Sequence, residues 1–298
     1  MPNLLYTRIP WWLAVALSTV SAVCIWGFMS SRLVLSPPRD MNQVPPSRLG
    51  LSYHTIIFKS TDGLLLEGWF IGAESAKGTV ILCHGYGTNK SDLLGFLPFL
   101  HDGGYNIFMF DFRAHGESPG SCSLGYYEAN DIIGAVEYLK TRNDVDADKI
   151  GVIGVSMGGA AAFTAAARTP LIKAVISDSS FISFERTVTR FAKLFYRLPK
   201  FPLVHMSIKA VELRLGFKAE DADPLRYVSK IAPRAVFIIH GREDNRILPE
   251  NAQLLFNAAK DPKELWIVPQ ADHLESRGLN PVEYEKRVIG FLDKYLAK

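Results

Sequence analysis

One run of residues restricts the fold more than any other: Lys149-Ile150-Gly151-Val152-Ile153-Gly154-Val155-Ser156-Met157-Gly158-Gly159-Ala160-Ala161-Ala162. It reads as an apolar strand, a turn made by Ser156 alone, and a helix of small residues. Gly154 and Gly158 are what so sharp a reversal needs, because a Cβ two residues to either side of the serine would collide with the crossing chain. The hydroxyl then stands above the strand end at a helix N-terminus. There the Met157 amide and the helix dipole favour negative charge.

The flanking segments fit an α/β sheet. Residues 52–59 and 63–72, joined through Ser60-Thr61-Asp62-Gly63, read as a β-hairpin. Residues 79–83 form a short, unbroken apolar run, as in a strand covered on both faces of a parallel sheet. Helix-like and strand-like pieces then alternate at 91–101, 105–110, 128–141, 150–155, 158–168 and 174–177, which calls for crossover connections and a doubly wound sheet. The pattern resumes with a strand at 234–240, a helix at 249–259 and a last strand at 264–268. Pro281 opens a closing helix expected to pack Val282, Val288, Leu292, Tyr295 and Leu296 inward.

Residues 181–230 have a different character and read as a helical lid inserted into the sheet domain. Phe184, Val188, Phe191, Phe195 and Leu198 recur at helical spacing, while Arg186, Arg190, Lys193 and Arg197 follow two residues out of phase, about 200° around the helix. Eight Lys or Arg between 181 and 218 face only Glu185 and Glu212. The basic side is either a solvated face or a surface that rests on anionic headgroups or selects an acidic substrate.

The N-terminus sets a second constraint. Trp11 to Met29 is nineteen residues without a charge, bracketed by Arg8 and Arg32, with Trp11, Trp12 and Trp26 suited to the two interfaces. At about 1.5 Å per residue it spans a bilayer core of about 30 Å. Residues 1–32 therefore read as a single-pass membrane anchor, with a cleaved signal peptide as the alternative. Arg32, Arg39 and Arg48 lean the sheet domain toward the cytoplasm. Residues 33–50, with Pro37, Pro38, Pro45 and Pro46, read as an extended spacer before a domain at 51–298. A net charge of +3, without a Walker loop, dinucleotide fingerprint or zinc-finger spacing, gives no ground for a nucleic-acid partner. Cys24, Cys83 and Cys122 do not make a disulfide framework.

Acyl transfer at neutral pH needs an activated hydroxyl, a base, a carboxylate to orient the base, and donors for an oxyanion. Ser156 supplies the hydroxyl. Of seven histidines, His273 follows the last strand, where a loop can carry an imidazole back over the sheet edge. Two carboxylates qualify: Asp244, in the turn after the strand at 234–240, and Asp178, at the end of the strand after the serine's. The amides of Tyr86 and Met157 are the candidate oxyanion donors. The charged loop Asp111-Phe112-Arg113-Ala114-His115-Gly116-Glu117-Ser118 reads as a brace for its surroundings, and the sequon Asn89-Lys90-Ser91 lies too close to this site to be read as a glycan acceptor.

These motifs, with His84-Gly85-Tyr86-Gly87, Gly241-Arg242-Glu243-Asp244 and Asp272-His273, give the chain a resemblance to the α/β-hydrolase superfamily over about residues 52 to 297. It resembles in particular the membrane-anchored serine hydrolases similar to serine-aminopeptidase (S33-like), lysophospholipase and monoacylglycerol lipase members. Ala114 stands where that family often has Gly. The resemblance implies an eight-stranded, mostly parallel sheet with helices on both faces, a lid, and a serine hydrolase with neither metal nor organic cofactor. The Phe-rich lid and the anchor point to a lipid-like acyl ester or thioester as substrate, with a peptidase, or a non-catalytic binding protein on the same fold, as the other readings.

Overall fold

The apolar runs become strands at His54–Lys59 (β1), Leu65–Ile71 (β2), Gly78–Cys83 (β3), Tyr105–Phe110 (β4), Ile150–Val155 (β5), Ile172–Asp178 (β6), Ala235–Gly241 (β7) and Lys263–Val268 (β8). This computed structural model describes residues 10–297; Arg8, which brackets the apolar run, lies outside them. The helices are Trp11–Ser30 (α1), Arg32–Leu35 (α2), Leu97–Asp102 (α3), Glu128–Leu139 (α4), Met157–Arg168 (α5), Phe184–Tyr196 (α6), His205–Leu215 (α7), Glu250–Ala258 (α8), Ser276–Leu279 (α9) and Pro281–Tyr295 (α10). The sheet order is β1-β2-β4-β3-β5-β6-β7-β8, with β2 antiparallel to β1 and β4 and every later pairing parallel.

β3, β4 and β5 are buried at every position, because helices cover both faces. Alternate residues feed two cores: Ile81, Phe108 and Val152 pack with α4, α5 and α8, while Val80, Ile107 and Ile153 pack with α3 and α10. The crossing of β5 and α5 is as tight as the glycine spacing demands. A Cβ on Gly154 would stand 2.3 Å from the Gly158 carbonyl oxygen, and one on Gly158 would stand 2.2 Å from that of Cys83.

Two expectations need correction. On α10, Val282 is 79% exposed, while Tyr284, Val288, Phe291, Leu292 and Leu296 are buried and Tyr295 is half-buried. Residue 282 is two positions before 284, about 200° around the helix, so it faces away from the stripe on which the others lie. The Pro-rich segment, for its part, is no free spacer. Leu35 is buried in the core and its carbonyl accepts from the Cys122 amide at 2.9 Å. Arg39 donates to the Ala114 and Ser118 carbonyls, Gln43 Nε2 to Asp111 Oδ2 at 2.7 Å, and Asn89 Nδ2 to the Asp40 carbonyl at 3.1 Å.

Candidate active site

Ser156 sits between β5 and α5 at φ 51° and ψ −115°, a conformation rare outside glycine and costing on the order of 1–3 kcal/mol. Its amide donates to the Asp178 carbonyl at 2.8 Å, and its own carbonyl accepts from Gly159 and Ala160, which fixes the turn from both sides. His273, on the loop after β8, places Nε2 3.2 Å from Ser156 Oγ and Nδ1 2.7 Å from Asp244 Oδ2. With Nδ1–H donating to the carboxylate, Nε2 carries the lone pair that faces the hydroxyl. The chain thus brings Ser156, His273 and Asp244 into one relay.

The loop after β7 is shaped around Asp244. Its Oδ1 accepts from the amides of Arg246 at 3.0 Å and Ile247 at 2.8 Å, leaving Oδ2 for His273. Burial alone would raise this carboxyl, but hydrogen bonds from His240, His273 and the Ile247 amide outweigh it and hold the group well below the usual carboxylate range. Asp272 ties the two loops together, accepting from the His273 amide at 2.7 Å and the Asn245 amide at 3.2 Å. Asp178, the rival carboxylate, is turned elsewhere: its Oδ1 accepts from Ser179 Oγ at 2.9 Å and Ser276 Oγ at 3.3 Å, and burial pushes its carboxyl up. Among the described residues no hydrogen bond joins it to His273.

Gly85 lies against the serine, since a Cβ on it would stand 3.6 Å from Ser156 Cβ, and Tyr86 is the next residue in the chain. Among the described residues, the amides of Tyr86 and Met157 have no protein acceptor. Two free donors beside a hydroxyl paired with an imidazole can stabilise negative charge on a carbonyl oxygen.

The loop that carries Tyr86 is braced from below. The Phe112 amide donates to His84 Nε2 at 3.0 Å, so Nδ1 carries the proton and donates to the Gly85 carbonyl at 2.7 Å. Burial and the neighbouring His115 push His84 down to about 3, keeping it neutral. Lys90, fully buried, pairs with Asp111 at 2.7 Å and Glu67 at 3.1 Å and lies 4.6 Å over the Trp69 ring. Burial would raise Asp111, but the Lys90 charge and the hydrogen bonds from the Lys90 side chain and amide bring it below the usual range. Arg113 joins Asp62 at 2.8 Å and Asp131 at 2.6 Å. Asp111, which accepts from the Lys90 and Glu117 amides, and Arg113 therefore brace this loop, while Glu117 is exposed. Two features escaped the sequence reading: the buried Lys90, and His240, whose Nε2 lies 3.3 Å from Asp244 Oδ2 and bonds the Ile247 carbonyl at 2.7 Å. A four-residue spacing from Asp244 was the only trace of the latter.

The insertion between β6 and β7, the segment expected to be a lid, carries α6 and α7. Its basic face is divided: Arg190 donates to the carbonyls of Asn245 and Arg246, while Arg186, Lys193 and Arg197 are exposed. An apolar cavity of about 310 Å³ lies between α6, the start of α7, Tyr86 and the segment following α1.

Sheet order, crossovers and the relay at the strand ends define this chain as an α/β-hydrolase. The sequence pattern of the prolyl oligopeptidase family matches residues 97–298, more than half of the chain, and the protein belongs to that family. The match contains Ser156, Asp244 and His273 but begins after Tyr86. The uncharacterized protein YqkD of Bacillus subtilis is 30% identical over 240 residues, covering 80% of this chain and 78% of its own. The alpha/beta hydrolase domain-containing protein WAV2 of Arabidopsis thaliana is 26% identical over 261 residues, covering 85% and 82%. The Pyrococcus furiosus esterase Pf2001 is 30% identical and superposes with a TM-score of 0.75 over 88% of this chain and 98% of that one. The Pyrococcus horikoshii acylaminoacyl peptidase, 22% identical with a TM-score of 0.63 over 83% of this chain and 42% of that one, shares the fold. The chain is a hydrolase of this superfamily.

Proposed function

We propose that the protein is a membrane-anchored serine hydrolase that cleaves carboxylic esters or thioesters of lipid-like acyl chains through an acyl-enzyme. The observation that carries the reading is the relay from Asp244 through His273 to Ser156 beside two uncommitted amides. Ser156 Oγ attacks the acyl carbon as its proton passes to His273 Nε2, and the Tyr86 and Met157 amides take the charge that forms on the carbonyl oxygen. His273 returns the proton to the departing alcohol or thiol. Water, deprotonated by the same imidazole, then releases the acid and frees the serine.

Support for the anchor comes from α1, whose twenty residues measure about 30 Å and carry mostly exposed apolar side chains. A signal peptide would be removed, yet the end of this helix is fitted to the lid. Gly27 packs so closely on Met206 that a Cβ would stand 2.7 Å from its backbone, and Ser30 Oγ bonds Ser207 Oγ at 2.6 Å.

A fluorophosphonate probe, whose fluoride leaves as the serine is phosphonylated, tests the nucleophile: labelling of the full chain in detergent is expected to vanish in Ser156→Ala. Retained labelling would remove Ser156 from the role. The family's name favours a second reading, hydrolysis of peptide amides. A matched panel of p-nitrophenyl esters and peptide p-nitroanilides separates the two, and faster turnover of the anilides would select the peptidase.

A further inference from the structure

The segment joining membrane helix to domain also reaches the cavity beneath the lid. Leu33 and Val34 line one side of it, Val188, Phe191 and Phe195 of α6 another, and Tyr86, the bearer of one oxyanion amide, a third. The segment is locked in place. Tyr86 Oη donates to the Leu33 carbonyl, Arg214 donates to Ser31 Oγ at 2.9 Å and lies 4.8 Å over the Phe28 ring, and Leu35 is buried in the core. About 310 Å³ is at the small end of ligand pockets, enough for one extended apolar group.

We propose that residues 30–34 form a wall of the acyl-chain pocket, so that the segment joining the membrane helix to the domain sets which chain lengths the enzyme accepts and delivers the pocket's mouth to the bilayer surface. The proposal rests on the hydrolase reading for the fate of the acyl group, but not for its binding. Ser30 ends a helix long enough to span the bilayer core, so the cavity beside it opens at the interface. Exposed Phe195 and Tyr196 stand at the same rim. An acyl chain leaving the bilayer there enters apolar surroundings without crossing water, and burial of each methylene contributes about 0.8 kcal/mol.

Binding and catalysis are tested separately. In full-length Ser156→Ala reconstituted into phosphatidylcholine vesicles, a diazirine-bearing fatty acyl ester is expected to cross-link to residues 30–34 and to 188–195, read by mass spectrometry. Cross-links confined to the lipid-facing stretch 11–26 would overturn the proposal. Were those pocket cross-links found without any Ser156-dependent fluorophosphonate labelling, the pocket would stand and the serine-hydrolase reading would fall. For the active chain, Val34→Trp is expected to lower the ratio of kcat/KM for p-nitrophenyl octanoate over acetate at least tenfold, and Leu33→Ala to move the preferred chain length upward. A ratio unmoved in both variants would sink the assignment.

Discussion

The loops over the strand ends and the lid with its attached helix are built on opposite plans. Around Ser156 the buried charges are answered inside the protein: Lys90 by Asp111 and Glu67, Arg113 by Asp62 and Asp131, Asp244 by two amides and two imidazoles. On the lid side, Phe195 is 59% exposed and Leu213 83%, and α1 exposes apolar side chains along most of its length. The first region pairs its charges internally and holds its free amides in fixed positions, as a preorganised site must. The second leaves apolar surface uncovered among the described residues, and the proposed anchor would place it against a bilayer.

The largest effect tests the self-contained region. Asp244→Asn is expected to lower kcat about ten-thousand-fold by presenting the wrong imidazole tautomer, leaving fluorophosphonate labelling slow but still dependent on Ser156. Near-normal turnover would shift the orienting role to Asp178. The same residue carries a pH signature. Because its native carboxyl is held low, its contribution to stability is full above the ordinary carboxylate pKa of about 4 and drains away as the pH falls below that. Acid unfolding of Asp244→Asn should therefore be less steep below pH 4 than that of the parent.

Next in size is the brace. Lys90→Met removes the cation held between Asp111 and Glu67 and leaves the buried Asp111 carboxylate without its ion-pair partner, at a cost of about 3–5 kcal/mol in chemical denaturation. A loss below 1 kcal/mol would mean that the loop amides alone hold Asp111. Smaller again is the lid. A polarity-sensitive fluorophore on Leu213→Cys, in a Cys24→Ser background where only buried Cys83 and Cys122 remain, should shift to the blue when the full chain enters vesicles. Transfer of a leucine-sized group from water is worth about 1.5–3 kcal/mol. A label on Leu254→Cys, on the exposed side of α8, should not move.

How much of this contrast could be read beforehand depended on the range of the interactions. Strands such as β4 and β5 matched because a continuous apolar run records burial locally, and the turn at Ser156 matched because two close backbone approaches leave only glycine possible at 154 and 158. Val282 failed because an apolar residue at the mouth of a helix was assigned to a stripe six positions away, a spacing that does not repeat on one face. The tether failed for another reason. Its prolines indicate extended chain, but its partners, the Ala114 and Ser118 carbonyls and the Asp111 carboxylate, lie some seventy positions on and leave no mark on local composition. His240 was hidden in the same way, by a strand-end position whose only significance is spatial.

The smallest effect tests the proposed contact of the basic face with lipid. Arg190 is already spent on the carbonyls beside Asp244, so neutralising it would disturb the site loop as well as the surface. Arg186, Lys193 and Arg197 are the exposed cations of α6 and its C-cap, and each near an anionic bilayer contributes about 1 kcal/mol. With the fluorophore on Leu213→Cys, vesicles containing phosphatidylserine should give a larger blue shift than phosphatidylcholine alone, and 1 M salt, with its screening length of about 3 Å, should erase the difference. Changing the three residues to Gln should erase it too while keeping the shift on neutral lipid, because apolar burial by Leu213 and Phe195 does not depend on charge. If the triple variant still distinguished the two lipids, the basic face would be an ordinary solvated surface, and lid contact with the membrane would rest on its apolar residues alone.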